Sequence, residues 1–168
     1  MLNRKKNNKG FTLVELLVVI AIIGILAVVA VPALFKNIEK GKVADLESDI
    51  SAIRSAALSV YADTSVMPNN ETIDGDKTKG SSNLIDAELE GLSNPFNGTY
   101  TTTMVDTDKD NENDTLLLKI ELENAISKDG AQKLINDLGD KYVDENGQKQ
   151  DAAAISANGS IYIKLMEK

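Results

Sequence analysis

Lys9-Gly10-Phe11-Thr12-Leu13-Val14-Glu15 leads without a break into an apolar run that ends at Phe35. A basic leader, a glycine, a single acid and a greasy segment stand here in that order. Leu16–Phe35 carries no charged side chain, and its twenty residues would rise roughly 30 Å as a helix, the thickness of a hydrocarbon core. A secretory signal would have an apolar region of only ~7–15 residues before a small-residue cleavage site. The run is longer than that, although Ala27-Val28-Val29-Ala30-Val31-Pro32-Ala33 leaves cleavage after Ala33 open. A plain signal-anchor helix is the other ordinary reading. In either case Arg4, Lys5, Lys6 and Lys9 stay cytoplasmic and the C-terminal part lies outside.

Glu15 does not suit a plain anchor. Drawn to the bilayer centre, its carboxylate would cost about 2–3 kcal/mol, and intramembrane ionisable groups usually have a partner. If the chain were cut after Gly10, the new α-amino group on Phe11 would lie one helical turn from Glu15. That amine could pair with the carboxylate in its own chain or in a neighbour's.

Gly10-Phe11-Thr12-Leu13-Val14-Glu15 behind a short lysine-rich leader resembles the prepilin signal of type IV pilins and their pseudopilin relatives. The resemblance covers residues 9–35 and, more loosely, the helix as far as Tyr61. It implies a leader, 1–10, that prepilin peptidase removes after Gly10, and N-methylation of Phe11. It makes Glu15 the assembly residue that meets the N-terminal amine of an adjacent subunit. Burying that carboxylate in a helical bundle is tolerable only if a neighbour supplies positive charge. The segment 11–35 then serves first as a transmembrane helix and later as a filament core. Gly24 and Pro32 weaken a helix by backbone freedom and by a missing donor. In filaments of the family the stretch between such residues tends to melt, which implies Gly24–Pro32 here.

Beyond Lys36 the pattern turns amphipathic. Val43, Leu46, Ile50, Ile53, Ala57 and Val60 step by 3, 4, 3, 4 and 3, an apolar stripe on one side of a helix. One helix over about 11–63 would be on the order of 80 Å long at 1.5 Å per residue. Its second half would form the spine of a soluble head, 36–168. Patterning stops near Asp63, and Met67-Pro68-Asn69-Asn70 reads as a stop. The connection 65–97 is rich in Asn, Asp, Gly and Ser, with a short helix expected over Asn83–Leu92. In pilins the corresponding segment is variable and exposed on the filament. Strands are expected over 98–105, 115–122, 152–157 and 160–166, the last two joined by the Asn158-Gly159 turn, with Tyr142–Val143 as a short extra edge. Ser127–Leu138 reads as a helix with Ser127 as N-cap and Gly139 at its end. The fold class expected is α+β: a long N-terminal helix packed on a small antiparallel sheet of about four strands.

Composition narrows the function. There is no cysteine and no histidine. Disulfides, thiolate metal sites and the commonest general base are therefore unavailable. Without histidine no serine–aspartate proximity makes a nucleophile–base pair, so no catalytic residue is named and an enzyme is not expected. The chain has 18 basic and 26 acidic residues; without the four lysine and arginine residues of 1–10 the balance is 14 against 26, or −12. A head this acidic is repelled by nucleic-acid phosphates, and no nucleic-acid partner is expected. A membrane-anchored enzyme or binding protein is the reading from another class, and no catalytic constellation supports it.

Asp106, Asp108 and Asp110 alternate at the tip between the strands 98–105 and 115–122 and resemble the opening of a calcium loop, with Glu112 as a further ligand. Asn111 then stands where glycine is expected, and Leu117 where a closing glutamate should fall. A calcium site and a solvated acidic turn both remain open; no other cofactor is expected. Some pseudopilins bind calcium in a head loop. Asn-x-Ser/Thr sequons at Asn70, Asn97, Asn113 and Asn158 are read as chance in an Asn-rich chain.

The functional expectation is a structural subunit of an extracellular type IV pilus. Its partners would be prepilin peptidase, the pilus assembly platform, the membrane before assembly and further copies of itself. The absence of cysteine fits the clostridial, Gram-positive sort of pilin. A pseudopilin of a type II secretion or competence system shares the whole N-terminal reading and is the alternative.

Overall fold

The computed structural model describes residues 10–73, 84–86, 89, 91–123, 126–150 and 159–168. The chain divides into two compact units, Met1–Ile38 and Glu39–Lys168. One helix, α1 (Leu13–Thr64, 52 residues), supplies the first unit and one layer of the second. It starts at a threonine cap and stops where Ser65 turns to φ 56, with the Ser65 amide closing on the Tyr61 carbonyl at 2.8 Å. Pro32 lies inside it, and Gly24–Pro32 is helical throughout.

In the first unit no described residue covers the apolar side chains. Leu16, Ile25 and Phe35 are 57%, 71% and 66% exposed. In the second unit the same helix buries Val43, Leu46, Ile50, Ile53, Ala56, Ala57 and Val60, the expected stripe with Ala56 added. Full burial of each large apolar side chain contributes about 1.5–3 kcal/mol.

The stripe packs with an antiparallel sheet of five strands: β1 (Thr72–Ile73), β2 (Tyr100–Val105), β3 (Thr115–Glu121), β4 (Tyr142–Val143) and β5 (Ser160–Glu167), in the order β1-β2-β3-β5-β4. Alternation sends Tyr100, Leu116, Leu118, Ile120, Ile161, Ile163 and Leu165 into the common core. Register runs Thr102↔Leu118↔Ile163↔Tyr142, with an irregularity between Leu116 and Leu117.

Among the described residues the sheet has five strands, against about four expected. The additional edge, β1, comes from inside the connection 65–97, where two residues pair with Thr101 and Tyr100. A run that short has no periodicity to read. At the other edge Tyr142–Val143 does form a strand, paired with β5. The expected strand 152–157 and residue Asn158 of its turn lie outside the described residues. Of the helix expected over 83–92, residues 84–86 form a turn, and 83, 87, 88 and 90 lie outside the described residues.

The described part of the long connection is anchored. Met67, Ile73, Ile85, Leu89 and Phe96 join the core. Glu71, itself buried, accepts the Ile85 amide at 2.9 Å on Oε2, and its own amide donates to the Thr102 hydroxyl at 3.0 Å. Gly98 has no alternative: a Cβ there would fall 1.6 Å from the Glu121 carbonyl oxygen.

α2 (Lys128–Leu138) matches its expectation. The Ser127 hydroxyl accepts the Gly130 amide, and Gly139, at φ 56, closes the helix on Ile135. A second cap comes from α1: the Glu39 carboxylate accepts the Ser127 amide, placing an anion at the positive end of α2. The far face of the sheet is covered locally by the turn that follows β4. Gly147 lies so near that an added Cβ would meet Thr107 at 2.6 Å and Val105 at 3.2 Å, and Leu117 beneath is fully buried.

Candidate functional site

Thr12 and Glu15 form a capping box at the start of α1. The Glu15 carboxylate takes the Thr12 amide at 2.8 Å and the Thr12 hydroxyl at 2.7 Å, both on Oε2, while the Glu15 amide donates back to the hydroxyl at 3.3 Å. The Leu16 amide continues the turn to the Thr12 carbonyl at 3.3 Å. Two amides that a helix start leaves unsatisfied are thereby met, and the acid sits at the positive end of the dipole. Charge and the resemblance single out Glu15 in the sequence; the local capping role follows from the Thr-x-x-Glu spacing.

Gly10, Phe11 and Glu15 are all exposed, Phe11 by 84%. A Cβ at Gly10 would meet nothing within 4 Å, so the peptide bond between Gly10 and Phe11 is open on the glycine side. The leader side chains Arg4, Lys5, Lys6 and Lys9 lie outside the described residues. Pro32 and Gly24 are part of the exposed apolar helix. The site is thus an accessible junction, an acid held at a helix start, and an apolar rod.

The acidic tip between β2 and β3 is organised by its own backbone. Asp106 accepts the Lys109 amide at 2.6 Å and the Asn111 amide at 2.9 Å; Asp108 accepts the Asp110 amide at 3.2 Å, and Asp110 the Glu112 amide at 2.8 Å. Carboxylate oxygens of Asp106, Asp108 and Asp110 come within 4.8 Å of one another, and Glu112 is not in that group. Asn111 has φ 71, the left-handed conformation that a glycine at this place would supply, and asparagine tolerates it best after glycine. The oxygen donors suit a hard cation, but the same residues are also satisfied as a nested turn.

Between α1 and the segment 91–95 lies an open groove of about 460 Å³ lined by Lys42, Asp45, Ser48, Asp49, Ser93 and Pro95. Beside it the Tyr100 hydroxyl donates to Asp49 at 2.7 Å. Burial pushes the Asp49 carboxyl above the usual range, and burial together with the Asp49 contact pushes the Tyr100 hydroxyl strongly up. On the outer face of the sheet the Lys119 ammonium, 2.5 Å from Glu121, holds that carboxyl low.

Two family models match the chain. The prokaryotic N-terminal methylation motif covers residues 5–31, and the C-terminal part of PilW covers residues 37–115. The type IV major alpha-pilin of Moraxella bovis is 36% identical over 108 residues, 57% of this chain and 68% of that protein. A fimbrial protein of Neisseria meningitidis is 36% identical over 62% of this chain and 59% of its own length. The type II secretion system core protein G of Klebsiella michiganensis is 43% identical over 40% of this chain and 48% of its own length. Among solved structures, the major type IV pilin PilA1 of Clostridium difficile superposes with a TM-score of 0.57 at 29% identity, over 78% of this chain and 98% of that one. With the methylation motif over the capping box and the long helix on its antiparallel sheet, this chain belongs to the type IV pilin family and is a pilus subunit.

Proposed function

We propose that prepilin peptidase cleaves this chain between Gly10 and Phe11 and methylates Phe11, and that the product polymerises through the first half of α1 into a filament on the cell surface. Before assembly the apolar half spans the cytoplasmic membrane, with the leader inside and the head outside, where the assembly platform takes it up. The observation that carries this is the apolar rod Leu16–Phe35, whose large side chains are all exposed, behind a single acid. Twenty apolar residues that no described residue covers require lipid or further helices around them. In such a bundle the Phe11 amine of one copy neutralises Glu15 of the next. The head then contributes surface and performs no catalysis.

The test joins mass spectrometry of the N-terminus to electron microscopy of sheared surface material. Filaments whose subunits begin at methylated Phe11 are expected. Glu15→Ala should still be processed but yield few filaments; a normal filament yield would remove the charge pairing from the mechanism. A chain that keeps Met1, or starts after Ala33, would overturn the reading.

A pseudopilin of a type II secretion or competence system is the second reading, favoured by the similarity to a secretion core protein G. A calcium site formed by Asp106, Asp108 and Asp110 would go with it. Calorimetric titration discriminates: no heat at millimolar calcium excludes the ion, and binding lost on Asp108→Asn supports it.

A further inference from the structure

We propose that the cleft where α1, the end of α2 and β5 meet binds a small monocarboxylate with a compact apolar body, held by Arg54 and Lys141 over an aliphatic floor. All of its residues belong to the second compact unit. The site goes beyond the polymerisation reading and does not depend on it.

The cavity measures about 160 Å³. One of about 150 Å³ lined by aliphatic side chains accepts benzene, so a six-carbon acid is of fitting size. Its floor is Ile50 from α1, Leu138 from α2, and Ile163 and Leu165 from β5. Ile50, Ile163 and Leu165 are buried and Leu138 is half-buried, so a bound carbon chain would meet the margin of the core. Each methylene taken out of water there favours binding.

Charge decides what the other end of the ligand must be. Five ionisable side chains line the cleft, and three of them are already engaged. Glu47 and Asp137 both meet Lys133, at 2.8 Å and 2.6 Å, and Lys164 meets Glu167 at 2.6 Å. The Lys133 contact holds the Asp137 carboxyl below its usual range, so this acid stays an ion with its own lysine. Arg54 and Lys141 are left over. Neither has an ion-pair partner among the described residues, although the chain has 26 acidic against 18 basic residues. Arg54 is half-buried, and its planar fork matches a carboxylate through two parallel hydrogen bonds. The Lys141 ammonium adds a second positive charge. An inorganic anion would satisfy the cations and leave the floor wet; an acid with a carbon chain satisfies both.

The test uses the full chain in phosphatidylcholine nanodiscs with hexanoate as the probe, read by saturation-transfer difference NMR against empty nanodiscs. Hexanoate should give a saturable signal above that of the empty discs. Hexanamide has the chain without the charge, and acetate the charge without the chain; each should bind about tenfold more weakly or less well still. Arg54→Gln should weaken hexanoate about tenfold. Arg54→Lys keeps the charge but loses the fork and should fall between. Lys141→Gln should weaken it less, because an exposed ammonium is screened. Lys109→Gln, at the acidic tip, should keep the full signal. Circular dichroism checks that each variant retains its head transition. No signal above empty discs, equal binding of hexanamide, unchanged affinity in both Arg54→Lys and Lys141→Gln, or loss on Lys109→Gln would overturn the site. None of these results bears on filament formation, so the two readings fail separately.

Discussion

The two halves of α1 share one backbone and differ in what surrounds it. Between Val43 and Val60 the apolar residues occupy one stripe and are covered by the sheet; between Leu16 and Phe35 they occupy every side and are covered by none of the described residues. A stripe can be satisfied by a single layer, because the opposite side stays polar. A fully apolar rod cannot, since any one layer leaves most of it in water. The first half therefore belongs to an environment that surrounds it. The second half belongs to its own head.

Substitutions can break that contrast. Leu46→Ala, at a fully buried position, should lower head stability by roughly 2–5 kcal/mol in thermal unfolding followed by circular dichroism, whereas Ile25→Ala should leave the head transition unmoved. Equal effects would mean that the two halves are not energetically separate. Gly98→Ala should cost about 3 kcal/mol, the upper end for overpacking, because the Glu121 carbonyl occupies the space the methyl needs. Glu39→Gln should cost about 1 kcal/mol, measured by denaturant titration, as the charged cap on α2 weakens. The smallest effect concerns pH. Burial raises Asp49 in the folded head, so the folded state keeps this proton where the unfolded chain has released it. Its contribution to stability is present in acid and lost as pH rises through the folded value. Asp49→Asn, which keeps an acceptor for Tyr100, should remove that component of the pH slope. An unaltered slope would assign it to other groups.

Much of this was legible in the residues, for definite reasons. The 3–4 spacing from Val43 to Val60 is a regular pattern dictated by one covered face, and the β-prone runs on either side of a polar tip marked the β2–β3 hairpin. Ser127 and Gly139 declared the ends of α2 by their cap chemistry. What was not legible depends on partners distant in sequence. β1 is two residues whose strand character comes only from Tyr100 and Thr101 across from them. Glu71 looked like any acid of a polar connection until it met Ile85 and Thr102. At the N-terminus the sequence pointed to Gly10, Phe11 and Glu15 by charge and by resemblance. The hold of Thr12 on Glu15 is a local contact that the Thr-x-x-Glu spacing could have announced.

The short edge β1 has a consequence for how copies can add to one another. From Tyr100 to Met104 the outer margin of β2 is already occupied. Ile73 and Thr72 pair with Tyr100 and Thr101, Glu71 accepts the Thr102 amide at 2.9 Å, Asn70 donates to the Thr102 carbonyl at 3.0 Å, and the Asn69 side chain accepts the Met104 amide at 2.9 Å. A sheet margin closed in this way offers no template for a foreign strand. The margin of β2 from Tyr100 to Met104 is thereby taken up by the chain's own backbone and the Asn69 side chain.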